Sequence, residues 1–181
     1  MKKFHSQRGF TLIESLVAIS ILVIAVTGAY GMATAGISSS IFSKNQTIAF
    51  YVAQEAVEQI RNMRDNNGLS SQPWLTGIAA NGGDPCAFGK TCTADAVSSI
   101  DGSNNALVRC QGGAGSCPLL QQDTVNGFYG YNSSWKDTIY SREVTLTPIN
   151  NHEVAIGVTV KWSKGPATQS FTVRENIFDW Q

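Results

Sequence analysis

Apolar residues run almost without a break from Leu16 to Val26, and then recur at Ile37, Ile41, Ile48, Val52, Ala56, Ile60 and Met63. The later spacings of three, four or seven residues form the stripe of an amphipathic helix with one face to bury. No proline occurs before Pro73, and Asp65-Asn66-Asn67-Gly68 offers residues that tolerate a left-handed cap. The pattern therefore predicts one helix from Phe10 to about Asn66, roughly 85 Å long at ~1.5 Å per residue. Crossing a bilayer takes about 20 residues, so the remainder is expected to project from it as an amphipathic rod. Gly28 and Gly31 lie near the junction of the two halves. They mark either a soft spot, each costing about 1 kcal/mol relative to alanine, or close packing, in which Ala25, Ala29 and Ala33, with Gly28 and Gly36 beside them, form a face that admits a neighbouring helix.

The pattern changes to a period of two near the other end. Val154, Ile156, Val158, Val160 and Trp162 alternate with Ala155, Gly157, Thr159 and Lys161, which predicts a strand with one buried face. Val144 and Leu146 predict a strand before it, and Phe171, Val173 and Ile177 one after it. Turns are expected at Pro148 to Asn151 and at Lys164-Gly165-Pro166. The fold class read from these patterns is α+β, with the outer half of the helix covering an antiparallel β-meander. The expected segments are a leader at 1–9, a transmembrane helix at 10–35, an amphipathic helix at 36–66, a loop-rich insert at 67–137 and a sheet at 138–181.

The insert is rich in Gly, Ser, Asn and Asp and shows neither period, yet it contains Cys86, Cys92, Cys110 and Cys117. Outside the cytoplasm, four cysteines read as two disulfides, with three pairings possible. Short closure favours Cys86 with Cys92 and Cys110 with Cys117, each contributing somewhat under ~3 kcal/mol in the chain-entropy model. A zinc site is the weaker reading. Its ligand pairs are usually separated by two to four residues, whereas five and six intervene here.

Charge alters the picture at the amino end. The formal net charge is zero, but Lys2, Lys3 and Arg8 all precede Gly9, so a cut after Gly9 would leave 10 of the 13 basic side chains against 13 acidic ones. Nothing in that balance marks a nucleic-acid surface. The basic stub is retained on the cytoplasmic side, which places the chain beyond about Ala35 on the outside. A secretory signal peptide carries its cleavage site after the apolar region; here the small residue comes before it, so the apolar helix would remain on the mature protein.

The run Gly9-Phe10-Thr11-Leu12-Ile13-Glu14-Ser15-Leu16 resembles the type IV prepilins and the related pseudopilins of secretion systems. The resemblance implies cleavage between Gly9 and Phe10 by a membrane-embedded prepilin peptidase, N-methylation of Phe10, and a role for Glu14 in assembly with other pilin or pseudopilin subunits on an assembly platform. An acidic side chain at mid-bilayer costs roughly 2.5 to 3.5 kcal/mol, which favours a partner for Glu14. The freed amine of Phe10, in the same or a neighbouring copy, is the nearest positive charge. The alternative is that Glu14 only complements its own helix dipole, for about 0.3 to 1 kcal/mol. Many major pilins have a kinking proline in the helix and a disulfide-closed loop near the C-terminus. Neither is present here, and the central cysteines point toward a minor subunit.

Catalytic chemistry is sparse in this sequence. With His5 in the leader, His152 is the sole remaining histidine, at a turn. The tract around Gly112, Gly113 and Gly115 lacks the strand-then-helix setting of a phosphate loop and reads as flexible linker. Asp65-Asn66-Asn67-Gly68 and Asp101-Gly102-Ser103-Asn104 do not continue into a calcium loop. Asn45-Gln46-Thr47 and Asn132-Ser133-Ser134 fit the glycosylation triplet but receive no role. No cofactor and no metal are expected. The expected function is a non-enzymatic filament subunit, first anchored in the cytoplasmic membrane and later part of an extracellular or periplasmic filament; the alternative is a membrane-anchored extracellular binding module.

Overall fold

The computed structural model describes residues 9–97, 106–165 and 167–179. The basic leader residues Lys2, Lys3 and Arg8, together with His5, Asp101 to Asn104 and Pro166, lie outside the described residues. Among the described residues, helix α1 (Leu12–Leu69) precedes seven strands: β1 (Thr91–Ala94), β2 (Leu107–Arg109), β3 (Leu119–Gln122), β4 (Tyr129–Gly130), β5 (Lys136–Asn150), β6 (Glu153–Lys164) and β7 (Ala167–Phe178). The chain divides into two units, residues 1–44 and 45–181, and α1 runs through both.

In the first unit the helix is exposed throughout. Apolar side chains from Phe10 to Phe42, including Leu12, Ile24 and Ile37, face solvent. In the second unit the same helix is the cover of a sheet. Ala49, Val52, Ala53, Ala56, Val57 and Ile60 are buried, and Ile48 and Met63 pack at the margin. Only part of the expected stripe is used in this way, since Ile37 and Ile41 remain exposed. The small residues Ala49, Ala53 and Ala56 let the helix approach the strands closely.

The helix ends at Leu69, three residues beyond the expected stop. Gly68 keeps helical geometry, and the left-handed residue is Ser71, at φ 54°. Gln72 donates its N–H to the Asn67 carbonyl at 2.8 Å and Ser71 to that of Gly68 at 3.0 Å, the double closure that satisfies terminal carbonyls. Asn67 is occupied elsewhere: its side-chain amide bonds the carbonyls of Trp74 and Thr76.

All seven strands join one antiparallel sheet. Strand β5 pairs with β6 along one edge; on its other edge it meets β3 near its start and β1 at Val144 and Thr145. Among the described residues strand β7 pairs only with β6, from Glu153↔Phe178 to Lys164↔Ala167. The inner face carries Val144, Leu146, Val154, Ile156, Val158, Val160, Trp162 and Ile177 against α1.

Two expectations change in detail. Pro148 stays in β5, opposite Val154, and the turn is the tighter Asn151-His152, held by the His152 N–H on the Asn150 side chain at 2.9 Å. The segment 67–137 contains β1 to β4, which extend the sheet rather than hanging from it as loop alone. Strands of two to four residues are too short to print a period on the sequence.

Candidate assembly site

Thr11 opens α1. Its hydroxyl accepts the Glu14 N–H at 3.3 Å and its carbonyl accepts that of Ser15 at 3.1 Å, so Thr11 is the cap and Glu14 the third helical residue. That spacing, threonine then acid three residues on, is a capping-box pattern. Among the described residues Glu14 forms no salt bridge, and it lies in the first turn, at the positive end of its own helix.

From Phe10 to Ser43 Glu14 is the sole charged side chain, and the next is Lys44. Several hydroxyls along the same stretch are satisfied within the helix: Ser20 donates to the Leu16 carbonyl at 2.8 Å, Thr27 to that of Val23 at 2.8 Å, and Thr34 to that of Gly31 at 2.9 Å. Such back-bonding removes the cost of placing a hydroxyl in hydrocarbon. The helix is long and apolar enough to cross a membrane. A Cβ built on Gly28, Gly31 or Gly36 meets nothing within 4 Å, so within a single chain no close contact requires these glycines.

The second unit is held by a polar cluster that sequence reasoning missed. Arg142 faces inward from β5 between Tyr140 and Val144 and is fully buried. Its Nη1 donates to the Val52 carbonyl at 2.9 Å and reaches Glu55 at 3.4 Å, while Nη2 donates to the Ala94 carbonyl. One guanidinium thus ties α1, β1 and β5 together. Asp95 accepts the backbone N–H groups of Val97 and Tyr131, and Tyr131 shares a short hydrogen bond with Thr93. Burial pushes the Glu55 carboxyl above its ordinary value, outweighing the opposing pull of Arg142. Burial also raises the Tyr131 phenol, and pushes that of Tyr140 up to about 12. Tyr140 donates to the Asn45 side chain at 3.0 Å, a second tie between sheet and helix.

The cysteines lie at the ends of the β1–β2 hairpin. Cys86 bonds Cys92 with Cα atoms 5.1 Å apart, and Cys110 bonds Cys117 with Cα atoms 4.8 Å apart. The glycine tract expected to be a flexible linker is the loop closed by the second bond. The Gly113 N–H donates to Cys110 and that of Ser116 to Gly113, and the Gly115 N–H donates to Glu143 at 2.8 Å. Glu143 is itself held by Lys161 at 2.9 Å. Arg109 donates to the carbonyls of Gly82 and Asp84, fastening the segment that leads into Cys86. His152 sits in the β5–β6 turn, 3.5 Å from the Asp179 carboxylate.

An exposed apolar helix that begins at a processing-type junction and ends as the cover of an antiparallel sheet is the construction of a pilin-like protein. Residues 4–30 match the prokaryotic N-terminal methylation motif, the signature of type IV prepilins, and by that signature the chain is type IV pilin- or pseudopilin-like. No curated protein and no solved structure matches it. Proteins with this motif are structural rather than catalytic, and the motif implies processing by prepilin peptidase, assembly with other pilins and membrane anchoring through the helix.

Proposed function

We propose that this chain is a structural subunit, and a minor one, of a type IV pilus or a type II secretion pseudopilus. The observation that carries the reading is the methylation motif at residues 4–30, continuous with a helix in which Glu14 is the sole charge before Lys44. In this reading prepilin peptidase cuts between Gly9 and Phe10 and methylates the new amine. The helix holds the protein in the cytoplasmic membrane with the second unit outside, until the assembly platform extracts it into the filament. There the Phe10 amine of one copy neutralises Glu14 of a neighbour and sets their axial register. The disulfides Cys86–Cys92 and Cys110–Cys117 keep the outer unit intact after export.

Mass spectrometry of the mature amino terminus tests this. A methylated Phe10 is the expected result. An intact Met1 would overturn the reading in favour of a permanently anchored binding module, whose helix never leaves the bilayer.

A further inference from the structure

The two edges of the sheet are treated differently. On the side of β1 and β2, the edge strand has three residues and runs straight into the Cys110–Cys117 loop. Strand β4 has only two residues. Strand β7 has twelve, pairs with β6 without a register shift, and contains no proline, glycine or lysine between Ala167 and Phe178. Short strands, bulges, proline, lysine and inward-pointing charges are the devices that normally blunt an edge; of these β7 has only the inward Glu175, which Arg61 pairs.

The phase of its hydrogen bonding is fixed at one end. Asp179 donates its N–H to the His152 carbonyl at 2.9 Å, so by antiparallel alternation Ile177, Glu175, Val173 and Phe171 exchange bonds with β6. The backbone groups of Ser170, Thr172, Arg174 and Asn176 then point away from the sheet. In keeping with this phase, the outward carbonyl of Phe178 accepts a bond from Arg64 at 3.3 Å.

Beside that edge lies a groove of about 440 Å³ between α1 and β7, bordered by Tyr51, Glu58 and Arg61 on the helix and by Val173 and Glu175 on the strand. Phe50 and Phe171, in edge contact at 5.8 Å, extend its apolar wall. Side chains of a strand added to β7 would enter this groove at every second position. The two carboxylates of Glu58 and Glu175 face the single guanidinium of Arg61, which bridges both. The balance favours a base on the incoming segment.

We propose that β7 accepts an extended segment of a partner protein as an eighth strand, one whose groove-facing side chains are apolar except for a lysine or arginine. A second copy of β7 is a poor occupant, because its own inward face carries Glu175 and its Arg174 lies on the opposite face. This goes beyond the filament reading and does not depend on it.

The test uses the full-length chain in detergent and a synthetic nine-residue peptide of alternating threonine and valine, with one central valine replaced by lysine. Saturating peptide should slow amide exchange at Ser170, Thr172, Arg174 and Asn176 by about tenfold or more. Replacing the peptide lysine with glutamate should weaken binding about fivefold or more. Thr172→Pro removes an outward N–H and should abolish binding, while Thr172→Ala retains that N–H and should bind as the parent does. Unchanged exchange at those four amides, which needs no variant, would overturn the proposal. So would undiminished binding by Thr172→Pro, or protection of the same amides by self-association without peptide.

Discussion

Arg142 lies on the face of β5 that also carries Tyr140, Val144 and Leu146, so the strand's alternation delivers a guanidinium to the core. It is tolerated there because two backbone carbonyls and Glu55 receive protons from its two terminal nitrogens, while its buried Nε has no partner among the described residues. Arg142→Ala should therefore cost about 3 to 5 kcal/mol in urea unfolding, as it opens a cavity between helix and sheet and leaves the Glu55 carboxyl without its guanidinium. A loss below about 1 kcal/mol would show that the cluster does not hold helix to sheet. Glu55 gives a pH test. Its carboxyl is held above its ordinary value of 4.5 in the fold, chiefly by burial. The folded state thus binds more protons than the unfolded one in the window just above 4.5, so this group's contribution falls as pH rises through that window. Urea midpoints of Glu55→Gln measured between about pH 4 and pH 7 should lack that decline. A parent and variant with parallel profiles would exclude Glu55 as its source.

At the scale of elements, what the sequence revealed depended on how long each element is. Helix α1 and strands β5 to β7 span enough residues to repeat a period several times, and Val154 to Trp162 showed the buried face directly. Strands β1 to β4 have two to four residues each; β1 and β3 are fixed by pairing with β5, and β2 and β4 by pairing with β1 and β3, none of which is a local signal. Arg142 was obscured for a related reason: a charge at an inward position looks like an interruption until its partners on α1 and β1 are known. The helix stop was misplaced because Asp65 to Gly68 are good cap residues, yet Asn67 is used to fasten Trp74 and Thr76. The Cys110–Cys117 loop sits on the outer face of the sheet through Glu143 and Lys161. Removing that bond with Cys110→Ser and Cys117→Ser should lower stability by about 2 to 3 kcal/mol, read from denaturation with and without reductant. If the parent under reductant and the double variant unfold at the oxidised parent's midpoint, the loop is held without the bond.

For the whole molecule, the decisive question is whether Glu14 acts within one chain or between chains. Within the chain it is the third residue of a helix capped by Thr11, a position where glutamate and glutamine both serve. Between chains, only a charged carboxylate can neutralise an amine in a medium where it costs roughly 2.5 to 3.5 kcal/mol to bury. The two roles separate on Glu14→Gln, which keeps the cap chemistry and loses the charge. If pairing governs, Glu14→Gln and Glu14→Ala should both be cleaved after Gly9 and retained in membranes, and both should be missing from sheared filaments. If capping governs, Glu14→Gln should enter filaments at the parental level and Glu14→Ala should be reduced through a weakened first turn. The leader's mass loss reports cleavage and the filament fraction reports assembly, so failure at the peptidase step cannot be mistaken for failure of the pairing.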